Sequence, residues 1–207
     1  MYQPPQFRSD DPALAAELMR RHAFASLIST DDSGFPFVSH LPLHLEERDA
    51  RFVLLGHCAK PNPHWRYLQA RPEALVTFMG PHAYLSPKVY PDRLRVPSWN
   101  YLTVHCRVRA RLVEEPAAKD ELLKKLIGDH EPAYAQQWRS LGEEFAQKML
   151  AGIVGFELAV EQWSAKLKLN QHRPESHARM QQAYEGGNDD ERELAEWMKR
   201  LGMEDRQ

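Results

Sequence analysis

Residues 99–113, WNYLTVHCRVRARLV, decide the fold. Leu102, Val104, Cys106, Val108, Ala110 and Leu112 fall on one side of an extended chain, and Thr103, His105, Arg107, Arg109 and Arg111 on the other. A period of two sustained over that length marks a strand with one buried face. Cys106 takes a core position in it and reads as a small apolar residue rather than a nucleophile. The arginine row reads as a solvated or subunit-facing surface.

The flanking sequence extends the same pattern. Phe24–Ser29 (FASLIS) reads as a strand, and Asp31, Asp32, Ser33 and Gly34 supply turn chemistry. Phe35 to Leu45 reads as the next strand, with Phe35, Phe37, Ser39, Leu41, Leu43 and Leu45 inward and His40 and His44 on the opposite face. After a turn at 46–50 comes ARFVLLGHCA, so the first part of the chain predicts an antiparallel meander. ALVTFMG (74–80) and HAYLS (82–86) read as two strands separated by Gly80 and Pro81. The segment 87–97, with three prolines, Lys88, Tyr90, Arg93 and Arg95, reads as a lid or a subunit contact.

Helices frame this β region. Acidic residues and Pro12 precede LAAELMRRH, Pro116 opens AAKDELLKKLIGDH, and Pro132 opens AYAQQWRSLGEEFAQKML as one helical stretch. IVGFELAVEQWSAKLKLNQ returns to strand character, with Lys166 and Lys168 assigned to the wet face opposite Ala165, Leu167 and Leu169. ESHARMQQAY and DDERELAEWMKRL read as two short helices separated by Gly186 and Gly187. The fold class is therefore mainly β (α+β): a barrel-like antiparallel set of about six to eight strands with peripheral helices and a C-terminal helical segment.

Composition sets bounds on function. With 207 residues, 43% apolar, 27% charged and a net charge of −2, the chain suits a globular protein with no global attraction to nucleic acid. The apolar runs are far shorter than the roughly 20 residues of a membrane span, and MYQPPQFRSDD has no signal-peptide core. Two cysteines, Cys58 and Cys106, suit a reducing cytoplasm. GxGxxG, P-loop, GxSxG, HExxH and paired CxxC motifs are absent. His57, Cys58 and His64 have no diagnostic zinc spacing, so no metal site is assigned.

The segment 56–65, GHCAKPNPHW, carries the chemical signal. Asn62 followed by Pro63 reads as a helix start, where free N–H groups and the dipole favour an anion, with His57, Lys60 and His64 close in sequence. A solvated strand-to-helix junction explains the same residues, and this segment alone does not separate the two.

Four motifs in order, GHCAKPNPHW (56–65), GPHAYLSP (80–87), VPSWNY (96–101) followed by Val104-His105, and GFELAVEQWSAKLKLNQHR (155–173), resemble the PaiB-like FMN-binding negative transcriptional regulator family. MYQPPQFR and LMRRHAFASLIS extend the resemblance over nearly the whole chain. It implies a flavin-reductase-like split β-barrel domain over 1–172, a C-terminal helical extension over 173–207, and a homodimer with FMN at the subunit interface. Lys60 is then the phosphate ligand, assisted by His57 and the backbone near Asn62. His40 and Leu41 approach the isoalloxazine ring, Trp99 and Asn100 supply an apolar wall and a hydrogen bond, and Lys168, Asn170, Gln171 and Arg173 reach the cofactor or its entrance. At 169–173 the chain reads LNQHR where a KLSQN-type run is usual.

The resemblance implies a flavin-dependent regulator or sensor, without a recognisable helix-turn-helix for direct DNA contact. The alternatives are an FMN-dependent oxidoreductase on an unidentified small substrate and a haem-handling split-barrel protein. No catalytic residue is assigned, and His82 and Tyr84 read as packing residues.

Overall fold

The computed structural model describes residues 1–203. In chain order the elements are β1 (Arg8–Ser9), α1 (Pro12–Arg21), β2 (Phe24–Thr30), β3 (Pro36–Pro42), β4 (His44–Arg48) and β5 (Arg51–Ala59). They continue with α2 (His64–Ala70), β6 (Glu73–Leu85), β7 (Ser98–Val113), α3 (Pro116–His130), α4 (Tyr134–Ser140) and α5 (Glu143–Ala151). The chain ends in β8 (Ile153–Lys168), α6 (His177–Glu185) and α7 (Asp189–Arg200). The strands form one eight-stranded antiparallel sheet in the order β3-β2-β6-β7-β8-β5-β4, with β1 also paired to β8. This is the expected α+β, split-barrel class of fold.

Strand β7 alternates as expected over 104–109, but Thr103 of the expected polar face is buried at 2% and, at the strand's end, Val113 is buried while Ala110 and Leu112 are half-buried. Leu102, Val104, Cys106 and Val108 are at most 1% exposed. Two of its arginines face the carboxylates of neighbouring strands: Arg109 bonds Glu73 at 3.0 Å and Glu161 at 2.8 Å, and Arg111 pairs with Glu157. Burial pushes the Cys106 thiol up to about 12, which keeps it protonated and unreactive.

The backbone packs as two compact units. One comprises Met1–Leu18, Met79–Val104 and the chain from Ser164, and the other Met19–Phe78 and His105–Trp163. In the first, α7 is set by a capping box between Asn188 and Glu191 and buries Leu194, Ala195, Trp197 and Met198 at helical spacing. Arg200 clamps it to Glu17 of α1 with bonds of 2.6 and 2.7 Å. In the second, β4 and β5 form a hairpin whose loop residues Asp49 and Ala50 both have positive φ, the twist a two-residue turn demands.

Four local expectations are corrected. Gly80 and Pro81 do not break a strand; β6 runs unbroken from Glu73 to Leu85. Gly80 is there for space, since a Cβ would lie 3.1 Å from the Leu102 carbonyl oxygen and 3.3 Å from a Leu18 methyl. The expected helix after Pro132 is two helices, interrupted at Gly142 with φ +79°, a conformation that ends a helix. The expected strand 35–45 is β3 and β4, broken at Leu43, and Phe35 is exposed rather than inward. Lys166 is not on a wet face: it is 6% exposed, bonds the Tyr2 carbonyl at 3.2 Å and lies 5.1 Å above the Tyr101 ring.

Helix α2 is tied to β3 through one hydroxyl. Ser39 Oγ meets both Asn62 Nδ2 at 3.0 Å and His64 Nδ1 at 2.9 Å, and the His64 ring stands edge-on to Phe37. His64 is fully buried, and its desolvation lowers its pKa to about 4.

In the unfolded chain the His64 imidazole protonates near 6.5, so the unfolded state takes up a proton between about pH 6.5 and 4 that the fold refuses. Stability therefore falls as pH drops through that window, by about 2 kcal/mol at pH 5 from this residue. Urea unfolding of His64→Gln at pH 7 and pH 5 should show that loss reduced. Gly80→Ala should lower stability by about 1–3 kcal/mol in the same assay, because the Leu102 backbone cannot retreat.

Candidate functional site

The sequence-assigned residues fall into two groups, one on each unit. His40, Leu41, His57, Lys60 and Asn62 belong to the unit containing β3, β5 and α2, and Trp99, Asn100, Lys168, Asn170, Gln171 and Arg173 to the other.

In the first group the helix start is closed. The Asn62 side chain accepts from His64 N at 3.0 Å, and the Cys58 thiol accepts from the Trp65 backbone. Arg66 N and Tyr67 N both donate to the Pro63 carbonyl. With α2 only seven residues long, neither free N–H groups nor a long dipole is offered to an anion. The capacity to hold one rests instead on Lys60, whose side chain is exposed while its backbone is pinned to Gly152 O at 2.8 Å. Desolvation lowers the His57 pKa, so the ring is neutral at pH 7, and its buried Nδ1 has no hydrogen-bond partner among the described residues. An exposed cation on a fixed backbone suits an anion such as a phosphate oxygen, whereas the His57 Nδ1 is enclosed by the protein. His40 is exposed, 3.0 Å through Nδ1 from Ser26 Oγ and 6.3 Å from the ring of Phe24, itself 70% exposed; Leu41 is half-buried beside it.

In the second group four of the six residues line one cleft of about 370 Å³: Asn100, Lys168, Asn170 and Arg173. Lys168 Nζ donates to Ser98 Oγ and to the Trp99 carbonyl, both at 2.6 Å, and burial lowers its pKa. Asn100 is fully buried; its Nδ2 reaches Tyr184 Oη at 3.0 Å and Met180 Sδ at 3.2 Å, and its Oδ1 has no partner among the described residues. Asn170 adopts φ +64° and spends its amide on Tyr90 Oη and Ser176 Oγ, both at 2.9 Å, so it holds the chain reversal after β8. Gln171 folds back on the Leu167 carbonyl and the Leu169 N–H and lines a different cavity.

Trp99 is 52% exposed on β7, with His82 and Tyr84 of β6 at ring distances of 6.1 and 6.3 Å. His82 also meets Asp190 of α7 at 3.3 Å. The result is an open aromatic surface rather than core packing. Sequence reasoning did not name Arg95, Ser98 or His172 as site residues, although all three line the cleft. The cationic, proline-bracketed segment 87–97 was the available signal for Arg95.

A family model described as "Putative FMN-binding domain" matches residues 1–162. The chain is 35% identical over 181 residues to the Protease synthase and sporulation protein PAI 2 of Bacillus subtilis, covering 85% of this chain and 84% of that one. Its structure is similar to that of the FAD and Heme binding protein from Mycobacterium smegmatis, with a TM-score of 0.62 at 20% identity over 78% of this chain and 73% of that one. It is also similar to the flavocytochrome Anf3 of Azotobacter vinelandii, with a TM-score of 0.63 at 17% identity over 78% and 69% of the two chains. Likeness at such identities shows a shared fold. The match over 1–162, with the PAI 2 identity over most of both sequences, shows that the chain belongs to the FMN-binding domain family of PaiB-like proteins.

Proposed function

We propose that the protein is an FMN-binding regulator or sensor that acts as a homodimer in the cytoplasm. Family membership carries the flavin reading. Lys60, exposed on a pinned backbone, neutralises the phosphate, with the partly buried His57 ring three residues before it in the chain. His40 and Leu41, in the same unit as Lys60, approach the isoalloxazine ring. Bound FMN supplies reversible electron uptake, while the chain orients the ring and limits water around it. The Bacillus subtilis relative is named a sporulation protein, and sporulation is a developmental programme under regulation, which supports the regulatory reading.

A regulatory role through a protein partner suits the net charge of −2, which gives no general attraction to DNA. Both cysteines are free and buried, as a reducing compartment permits, and no helix among the described residues is long and apolar enough to cross a membrane.

Absorption spectra with and without added FMN, together with the mass in solution, test this reading. The expected outcome is a bound-flavin spectrum and twice the chain mass; a haem band or a monomer that ignores FMN overturns it. Lys60→Ala should weaken FMN binding by about tenfold or more, measured by flavin fluorescence quenching, and should leave riboflavin binding much less changed because riboflavin has no phosphate. Steady-state turnover of NAD(P)H by the FMN-loaded protein would replace the sensor reading with an oxidoreductase.

A further inference from the structure

The backbone of Lys60 is fixed by the start of β8, and the start of β8 is fixed by a second lysine. Lys60 N donates to Gly152 O at 2.8 Å, just before Ile153, Val154 and Gly155 pair with Ala59, Cys58 and His57. Gly152 is the C-cap of α5, where the last carbonyls of a helix lack intrahelical partners and the dipole favours a cation. Lys119 of α3 supplies that cation. Its Nζ donates to Leu150 O at 2.8 Å and lies 3.5 Å from Ile153 O, so it grips the chain on both sides of Gly152. Its stem crosses Gly155, where a Cβ would lie 3.4 Å from Lys119 Cγ and 3.3 Å from Val113 Cβ, and glycine leaves the room. Among the described residues no carboxylate pairs with Lys119, so its ammonium group is committed to these carbonyls. Every residue in this chain of contacts belongs to the unit made of Met19–Phe78 and His105–Trp163.

We infer that Lys119 is a positioning residue for Lys60: by clamping the junction of α5 and β8 it fixes the backbone from which the Lys60 ammonium reaches the phosphate, and so sets the preference for FMN over riboflavin. The inference rests on the flavin-phosphate reading of Lys60. An exposed lysine stem has many rotamers, and a backbone held before the ligand arrives spares the ordering cost of binding. Freeing Gly152 returns that cost, and only a ligand that uses Lys60 bears it. Lys119 itself touches carbonyl oxygens of its own chain.

Lys119→Met keeps the stem over Gly155 and removes only the ammonium group, so it tests the clamp. In the full chain without flavin, hydrogen exchange followed by NMR should show the Lys60 amide exchanging about tenfold faster in this variant, with the centre of β5 around the buried Leu54 unchanged. Fluorescence titration should show FMN bound about fivefold more weakly and riboflavin bound as in the parent. Lys119→Arg, which keeps a cation with N–H donors for the carbonyls, should restore most of the loss. The double variant Lys60→Ala/Lys119→Met should bind FMN no more weakly than Lys60→Ala alone, because Lys119 acts through Lys60. No change in Lys60 exchange or in FMN affinity, equal losses for FMN and riboflavin, or additive losses in the double variant overturn the inference and leave the flavin reading standing. A parent chain that binds no FMN overturns the flavin reading, and the inferred preference with it.

Discussion

Strand β7 has to keep Leu102, Val104, Cys106 and Val108 out of water while Arg109 and Arg111 stay near carboxylates. That requirement needs a strand on each side and a layer of apolar residues over one face. The sheet order β6-β7-β8 meets it, and β6, β7 and β8 are the longest strands in the described chain as a result. On the opposite face several side chains of β6 and β7 remain exposed, although Thr103 is buried. Trp99, His82 and Tyr84 form an exposed aromatic surface there.

The second constraint is the treatment of buried charge. Lys166 and Lys168 are drawn out of water at the end of β8, where an uncompensated ammonium group would be costly. Carbonyl and hydroxyl oxygens and the face of Tyr101 provide the compensation, with Lys166 Nζ 5.1 Å and Lys168 Nζ 5.7 Å from that ring. Among the described residues no carboxylate pairs with Lys168, whose Nζ meets only oxygens of Ser98 and Trp99 and the Tyr101 ring. The same logic runs oppositely at His57 and His64, where burial removes the charge and leaves neutral rings.

Much of this was legible from residue order. The alternation at 102–108, the turn chemistry at 31–34 and the paired glycines at 186–187 each map onto a described element, because each depends on the preferences of a few adjacent residues. Lys166 and Gly80 were misjudged for one reason. Local pattern marks a lysine as wet and a Gly-Pro pair as a break, but both are set by neighbours distant in sequence: Tyr2 and Tyr101 for the lysine, Leu18 and Leu102 for the glycine. The helix start expected at Asn62-Pro63 lies one residue later, at His64 with Pro63 in the cap position, and its N–H groups are already taken by Asn62, Cys58 and Pro63.

The sequence by itself determined the antiparallel α+β class, the core face of β7, the family and the residue types available for an anion, since periodicity, turn residues and ordered motifs are all local properties. Only the tertiary structure decided which of those residues keep free valence. Asn170 and Gln171 are spent on the backbone reversal after β8, whereas Asn100 Oδ1, His57 Nδ1 and the Lys168 charge are not. Whether a polar atom is satisfied depends on partners many residues away, brought to it only by folding.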